Sequence, residues 1–267
     1  MKNNRLATAA LLAAAAFALS GCGYGDNGYC DYYNCNADPS GIYEGYATDN
    51  ITSQTTPVVA IIDENGDGTL SGQDGSYYNM GVGTSGNSLN GSYQGFTAGS
   101  TATTTGSISG GLTQAGLNLN LNGAGNHTVT AVLNFDPVYN QASSLPTLQG
   151  SWHTVSTSYN GIGCASGTAN CPPAGSATLS LNIQNAGQFT GTDSAGCTYS
   201  GNFSLVDSNF NAYLENFNRT CGSGPADPFV GLATYFPASG TGSNMVPAQI
   251  LFMADDGNGN YVSQLLQ

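Results

Sequence analysis

Leu117-Asn-Leu119-Asn-Leu121 and Leu179-Ser-Leu181-Asn-Ile183 alternate apolar and polar residues one by one. A period of two puts the apolar side chains on one face and the polar ones on the other, the mark of a half-buried β-strand. The alternation continues from Gly41 onward, broken by Gly, Asn, Asp and Pro, and no stretch after residue 22 keeps a capped 3.6-residue period. Turn signals recur about every ten residues, which predicts an all-β sandwich or barrel.

Working outward from these strands, the chain reads as two halves. Gly41-Ile42-Tyr43 opens the first and Gly150-Ser151-Trp152 the second. Gly68-Thr-Leu70-Ser-Gly72-Gln-Asp74 lines up with Gly187-Gln-Phe189-Thr-Gly191-Thr-Asp193. Each follows an apolar strand, Val58 to Ile62 or Leu179 to Ile183, and the halves close on Tyr139…Leu145 and Tyr261…Leu265. Each half has room for eight strands of about five or six residues. An eight-stranded barrel leaves no sheet edge open to aggregation. The expectation is two tandem small antiparallel up-and-down β-barrels, residues 41–146 and 147–267. They follow a flexible tether, residues 22–40, and a leader, residues 1–21.

One segment in the first half carries a cation-binding grammar. Asp63-Glu-Asn65-Gly-Asp67-Gly-Thr69-Leu-Ser-Gly-Gln-Asp74 fits the calcium-loop pattern D-x-N-x-D-G. Position twelve is Asp74 where a bidentate Glu belongs, and the flanks read as strands. The first expectation is therefore a hairpin turn. The alternative is a calcium site using Asp63, Asn65, Asp67, Thr69 and Asp74. Gly81-Val-Gly83-Thr-Ser-Gly86 matches a dinucleotide fingerprint as a string, but no helix follows to receive a pyrophosphate, so it reads as a glycine-rich turn. No cofactor is expected.

Catalytic groups are scarce. His127 and His153 stand outside any motif, and the chain has no G-x-S-x-G and no H-E-x-x-H. Asp255-Asp256 and Asp63-Glu64 are adjacent pairs, and neighbours on a strand point to opposite faces. Both read as loop charge rather than as a glycosidase pair, and no enzyme is expected.

The start of the chain sets the compartment. Lys2 and Arg5 precede Leu6 to Leu19, a run apolar except for Thr8 and too short to span a bilayer. The run closes on Leu19-Ser20-Gly21-Cys22, which resembles the lipobox of bacterial lipoproteins. The resemblance implies cleavage before Cys22 and acylation of its thiol and freed amine, with palmitate among the chains. Each buried CH₂ is worth about 0.8 kcal/mol, so two or three chains hold firmly to a lipid bilayer. Gly23 in place of Asp implies sorting to the outer membrane.

Cleavage there would remove Lys2 and Arg5. Sixteen acidic residues against Arg219 alone then give a formal charge of −15. Such a surface has nothing to neutralise phosphates, which excludes nucleic acid as a partner. Six cysteines remain in an oxidising envelope and read as disulfides before metal ligands. Proximity favours Cys30–Cys35, Cys164–Cys171 and Cys197–Cys221, although other connectivities stay open. The last bridge would contribute about 3 kcal/mol in the loop-entropy account. If the barrels are independent, its loss should weaken the second and spare the first.

Two further resemblances concern the barrels. The Gly-x-aromatic openings resemble the first strand of avidin and lipocalin barrels, where the ring plugs the closed end. Asp193-Ser-Ala-Gly-Cys197-Thr-Tyr199-Ser-Gly201, with Cys221 and Gly231-Leu-Ala233, is similar to a group of poorly characterised proteobacterial lipoproteins. That similarity implies small barrel domains and no established activity. The first half departs from it by lacking both cysteines. The functional expectation is a non-catalytic envelope module binding an unknown small molecule or envelope protein. The alternative is a structural or shielding surface protein with a protein partner, and a carbohydrate-active enzyme comes third. A hollow interior lined by aromatics would favour a small molecule; a filled one with an exposed aromatic patch would favour a protein.

Overall fold

The computed structural model of the protein describes residues 38–97, 103–155, 161–163 and 177–267. Its first sheet holds β1 (Gly41–Asp49), β2 (Thr55–Ile62), β3 (Asp67–Gly72) and β4 (Ser76–Ser85). It continues with β5 (Ser88–Thr97), β6 (Thr104–Leu112), β7 (Gly116–Asn122) and β8 (Thr128–Asp136). Each strand pairs antiparallel with the next, and β1 pairs with β8 from Ile42↔Asp136 to Asp49↔Val129 to close the barrel. Closure demands sharp coiling, and glycine supplies it. A β-carbon on Gly45 would lie 2.0 Å from the Val132 carbonyl oxygen, and one on Gly91 would lie 1.9 Å from that of Gly81.

The second sheet contains β9 (Gly150–His153), β10 (Gly161–Gly163), β11 (Leu179–Ile183), β12 (Gln188–Asp193) and β13 (Cys197–Leu205). Then come β14 (Tyr213–Cys221), β15 (Ala226–Phe236), β16 (Gln249–Asp255) and β17 (Tyr261–Leu266). Its order is β10-β17-β16-β15-β14-β13-β12-β11-β9. The place of a single first strand is shared between two pieces: β9 pairs with β11, and β10 with β17. Just past β9, Thr154 bridges Leu266, and the His153 and Gln267 backbones exchange hydrogen bonds of 3.0 and 2.8 Å. The sheet therefore curls until its first piece meets its last strand. The all-β tandem-barrel expectation holds, with the first barrel fully closed and the second a curled, split version.

One turn in each sheet has the same geometry. Gly66 and Gly187 both take positive φ, 83° and 85°, and their carbonyls accept from Val82 and Phe203 N–H respectively. In turn geometry it is Gly66, two residues before Gly68, that matches Gly187. Tyr139 also parts from Tyr261. It lies in a 3₁₀ turn, Pro137–Asn140, after the last strand of the first barrel, whereas Tyr261 opens β17.

What the alternation did not predict is a third core between the sheets. Ile42, Val59, Ile61, Tyr77 and Phe96 leave the outside of the first barrel and pack against Leu232, Leu251, Met253, Tyr261 and Leu265. Tyr77 and Tyr261 stack at 5.1 Å between ring centroids. β16 and β17 are consequently buried along their whole length, one face in the second sheet and the other against the first barrel. A polar seam crosses this contact. Ser71 and Ser263 share a hydrogen bond of 2.6 Å, and Asp255 accepts from Asn79 Nδ2 at 2.8 Å and Tyr77 OH at 3.3 Å.

Candidate functional site

Among the described residues, packed side chains occupy both interiors. In the first barrel Tyr43, Met80, Tyr93, Ile108, Leu119 and Leu133 belong to one packed cluster. In the second, Phe189, Phe203, Phe217, Phe229 and Phe252 form a chain of ring contacts from 5.0 to 6.0 Å. Trp152 belongs to this core, its indole N–H donating to the Leu148 carbonyl at 2.8 Å. Its counterpart Tyr43 is likewise buried, donating to the Pro39 carbonyl.

The calcium alternative is not assembled. Asp63, Asn65 and Asp67 make the β2–β3 turn, where Asp63 Oδ1 already accepts the N–H groups of Asn65 and Asp67 at 2.9 and 3.0 Å. Thr69 points into the contact between the sheets, its hydroxyl 3.9 Å from Met253 Sδ. Asp74 sits in the turn at the other end of β3, where it caps Ser76. A strand rises about 3.3 Å per residue, so Asp74 is roughly 20 Å from Asp67. A helix–loop–helix folds twelve such residues around an ion; a hairpin stretches them along a strand. Among the described residues no group of three His, Cys, Asp or Glu converges on a metal position.

The other candidates also find places. Cys197 and Cys221, directly opposite each other on β13 and β14, are bonded. Cys22, Cys30, Cys35, Cys164 and Cys171 lie outside the described residues. His127 Nε2 is 2.6 Å from Asp49 Oδ2. Partial burial pushes the Asp49 carboxyl up, but the N–H groups of Thr52 and Ile51 and the imidazole together pull it down to about 2.

A shallow groove of about 540 Å³ lies on the outer face of β9, β11, β12 and β13. Outward side chains line it: Ser151, His153, Ser180, Asn182, Thr190 and Thr192, with Thr198 and Ser200 beyond. Alternation explains this, because each outward residue sits between inward ones such as Leu181, Phe189 and Tyr199. His153 Nδ1 and Ser180 Oγ, cross-strand partners, share a hydrogen bond of 2.9 Å. Among the described residues no carboxylate lines the groove beside that imidazole. What remains is an array of hydroxyl, amide and imidazole groups.

Beneath it lies a charged cluster that sequence reading missed. Asp193 ends β12 facing inward. Its Oδ1 accepts the N–H groups of Ala195 and Cys197, both at 2.9 Å. Its Oδ2 accepts Tyr199 OH at 2.9 Å and an Arg219 guanidinium nitrogen at 3.0 Å. Arg219 is 1% exposed. The signal was present, since Arg219 falls on the inward parity of β14 with Tyr213, Glu215 and Phe217, but a lone arginine is ordinarily a surface residue. Burial pushes the Tyr199 phenol well above its usual range, so it stays a donor.

This burial has a direct consequence for proteolysis. Arg219 is the sole Lys or Arg after residue 5. A folded chain beginning at Cys22 should resist trypsin entirely, and the same chain unfolded and reduced should be cut once. Peptide mass mapping reads both outcomes; cleavage of the native protein after Arg219 would contradict its burial.

No family model, no curated protein and no solved structure matches this chain.

Proposed function

We propose that the chain is an outer-membrane lipoprotein, held through acylated Cys22 and the tether of residues 22–40. Its two units, residues 41–146 and 147–267, serve as a solid, non-catalytic body that meets its ligand or partner on an outer face. The observation that carries this reading is the filling of both interiors by packed rings and aliphatic side chains. A lipocalin-like carrier needs a cavity that encloses its ligand, so recognition is left to the exterior, where the hydroxyl-lined groove lies.

A second reading, a shielding protein with a protein partner, draws on an exposed apolar pair. Tyr46 and Val132 stand opposite each other on β1 and β8 and are 55% and 56% exposed. Such an exposed pair on the barrel wall suits a protein contact.

Two measurements test the proposal. Cys22→Ser should abolish incorporation of labelled palmitate and release the chain from the membrane fraction; persistent labelling would sink the anchor. Titration of the wild type with a fluorescent fatty acid should show no saturable uptake, and one-to-one binding would show that an interior opens to carry ligands.

A further inference from the structure

The charged cluster ends on sulfur. The Arg219 nitrogen that bonds Asp193 Oδ2 also lies 3.3 Å from Cys197 Sγ. Cys197 is fully buried, whereas its partner Cys221 is only partly so, at the end of β14 beside the Gly222-Ser223-Gly224 turn. The two sulfurs of the bridge are therefore unlike in access and in neighbours.

We propose that Cys197–Cys221 is a polarised thiol-exchange site: small thiols attack Cys221, and Arg219 receives the leaving thiolate on Cys197. A neutral disulfide sulfur is a weak acceptor, and a thiolate is a strong one. The Arg219 contact therefore strengthens as negative charge arrives on Cys197. Asp193 offsets this only in part, because two backbone N–H groups and the Tyr199 hydroxyl also face its carboxylate beside the guanidinium. A leaving thiol of lowered pKa departs faster, and a nearby Arg lowers it.

The step balances simply. A small-molecule thiolate forms a bond to Cys221 Sγ, the Sγ–Sγ bond breaks, and its electron pair stays on Cys197 beside the guanidinium. A second thiolate then attacks the sulfur of the small molecule in the mixed disulfide. This frees Cys221 as thiolate and leaves the small thiol oxidised to its own disulfide. Loss of the bridge removes the covalent tie at one end of the β13–β14 pair, the end where β13 carries Thr198 and Ser200 of the groove. Thiol exchange is thereby placed next to the outer recognition face, whatever that face binds.

The test uses the intact folded protein, limited glutathione, acid quenching, and peptide mass spectrometry to locate the adduct. Glutathione should sit on Cys221 over Cys197 by roughly tenfold or more. Access alone would also favour Cys221, so the arginine must be varied. In Asp193→Asn/Arg219→Met, which removes both charges together, the preference should fall to about threefold or less. Arg219→Lys, which keeps a cation, should retain most of it. The ratio is compared only between proteins whose far-ultraviolet circular dichroism matches the wild type, since unfolding would expose Cys197 and lower the ratio by itself. Adducts equally divided or mainly on Cys197 in the wild type, or an undiminished preference in the double variant, would overturn the proposal.

Discussion

Replacing Phe217 with alanine is expected to destabilise the chain by about 3–5 kcal/mol, the usual cost of emptying a buried aromatic site. Phe217 is 2% exposed and touches more rings than its neighbours. Phe229, Phe252, Tyr199 and Phe189 lie 5.1, 5.2, 5.7 and 5.8 Å from it. Next to it Gly201 has no room for a β-carbon, which would fall 2.3 Å from Phe217 Cβ, so the backbone cannot easily collapse into the hole. The damage should not stop at the second sheet. β15, β16 and β17 present their outer faces to Ile42, Ile61 and Tyr77 of the first barrel, and loosening them exposes that apolar contact. Urea unfolding followed by Trp152 fluorescence and by far-ultraviolet circular dichroism should give coincident midpoints, both shifted. A dichroism curve that splits, with half the signal at the wild-type midpoint, would show that the contact does not couple the halves. By the same reasoning, loss of Cys197–Cys221 should weaken both sheets, not only the one that carries it.

The second large effect concerns pH. Glu215 lies on the inward face of β14, fully buried. One carboxyl oxygen accepts the Met253 N–H at 2.7 Å, while the other has no hydrogen-bond partner among the described residues. Burial pushes its pKa well above the ordinary value, against the smaller opposing pull of the Met253 N–H. Burial also raises Asp255, Asp63 and Glu64. For a group raised in this way, the folded chain keeps a proton that the unfolded chain releases from about pH 4.3 upward. Its stability contribution is therefore complete below that pH and declines as pH climbs toward the folded-state pKa. Asp49 works in the opposite sense and in another window, losing its contribution only as pH falls from about 3.9 toward 2. The melting temperature should accordingly be highest near pH 4–5 and decline toward pH 8. Glu215→Gln keeps the acceptor for Met253 and cannot ionise, so its profile should be flatter, with the gain over wild type growing at alkaline pH. Parallel profiles for the two proteins would show that Glu215 is not the group being titrated.

The alternation in Leu117–Leu121 and Leu179–Ile183 fixed those segments as strands with an inside and an outside, because a period of two has no other packed solution. Turn residues fixed where the chain reverses, down to Gly66 and Gly187, whose positive φ favours glycine. Cys197 and Cys221 could be paired from proximity, and the charge census singled out Arg219 as the last cation.

Tertiary structure decided the rest. Val58–Ile62 and Ile250–Ala254 are continuous apolar runs, the trace of burial on both faces, yet a run cannot say what covers its second face. Only the placement of one sheet against the other makes Ile61 and Leu251 part of a shared core. Asp63, Asn65, Asp67, Thr69 and Asp74 read as a ligand set in one dimension, and the rise of a strand draws them apart. Asp193 and Arg219, far apart along the chain, meet at Cys197 because β12, β13 and β14 lie side by side and a buried guanidinium needs both a carboxylate and hydrogen-bond acceptors. Patterns set by neighbours along the chain were legible in the residues. Contacts between groups distant in sequence had to wait for the fold, since no local rule brings them together.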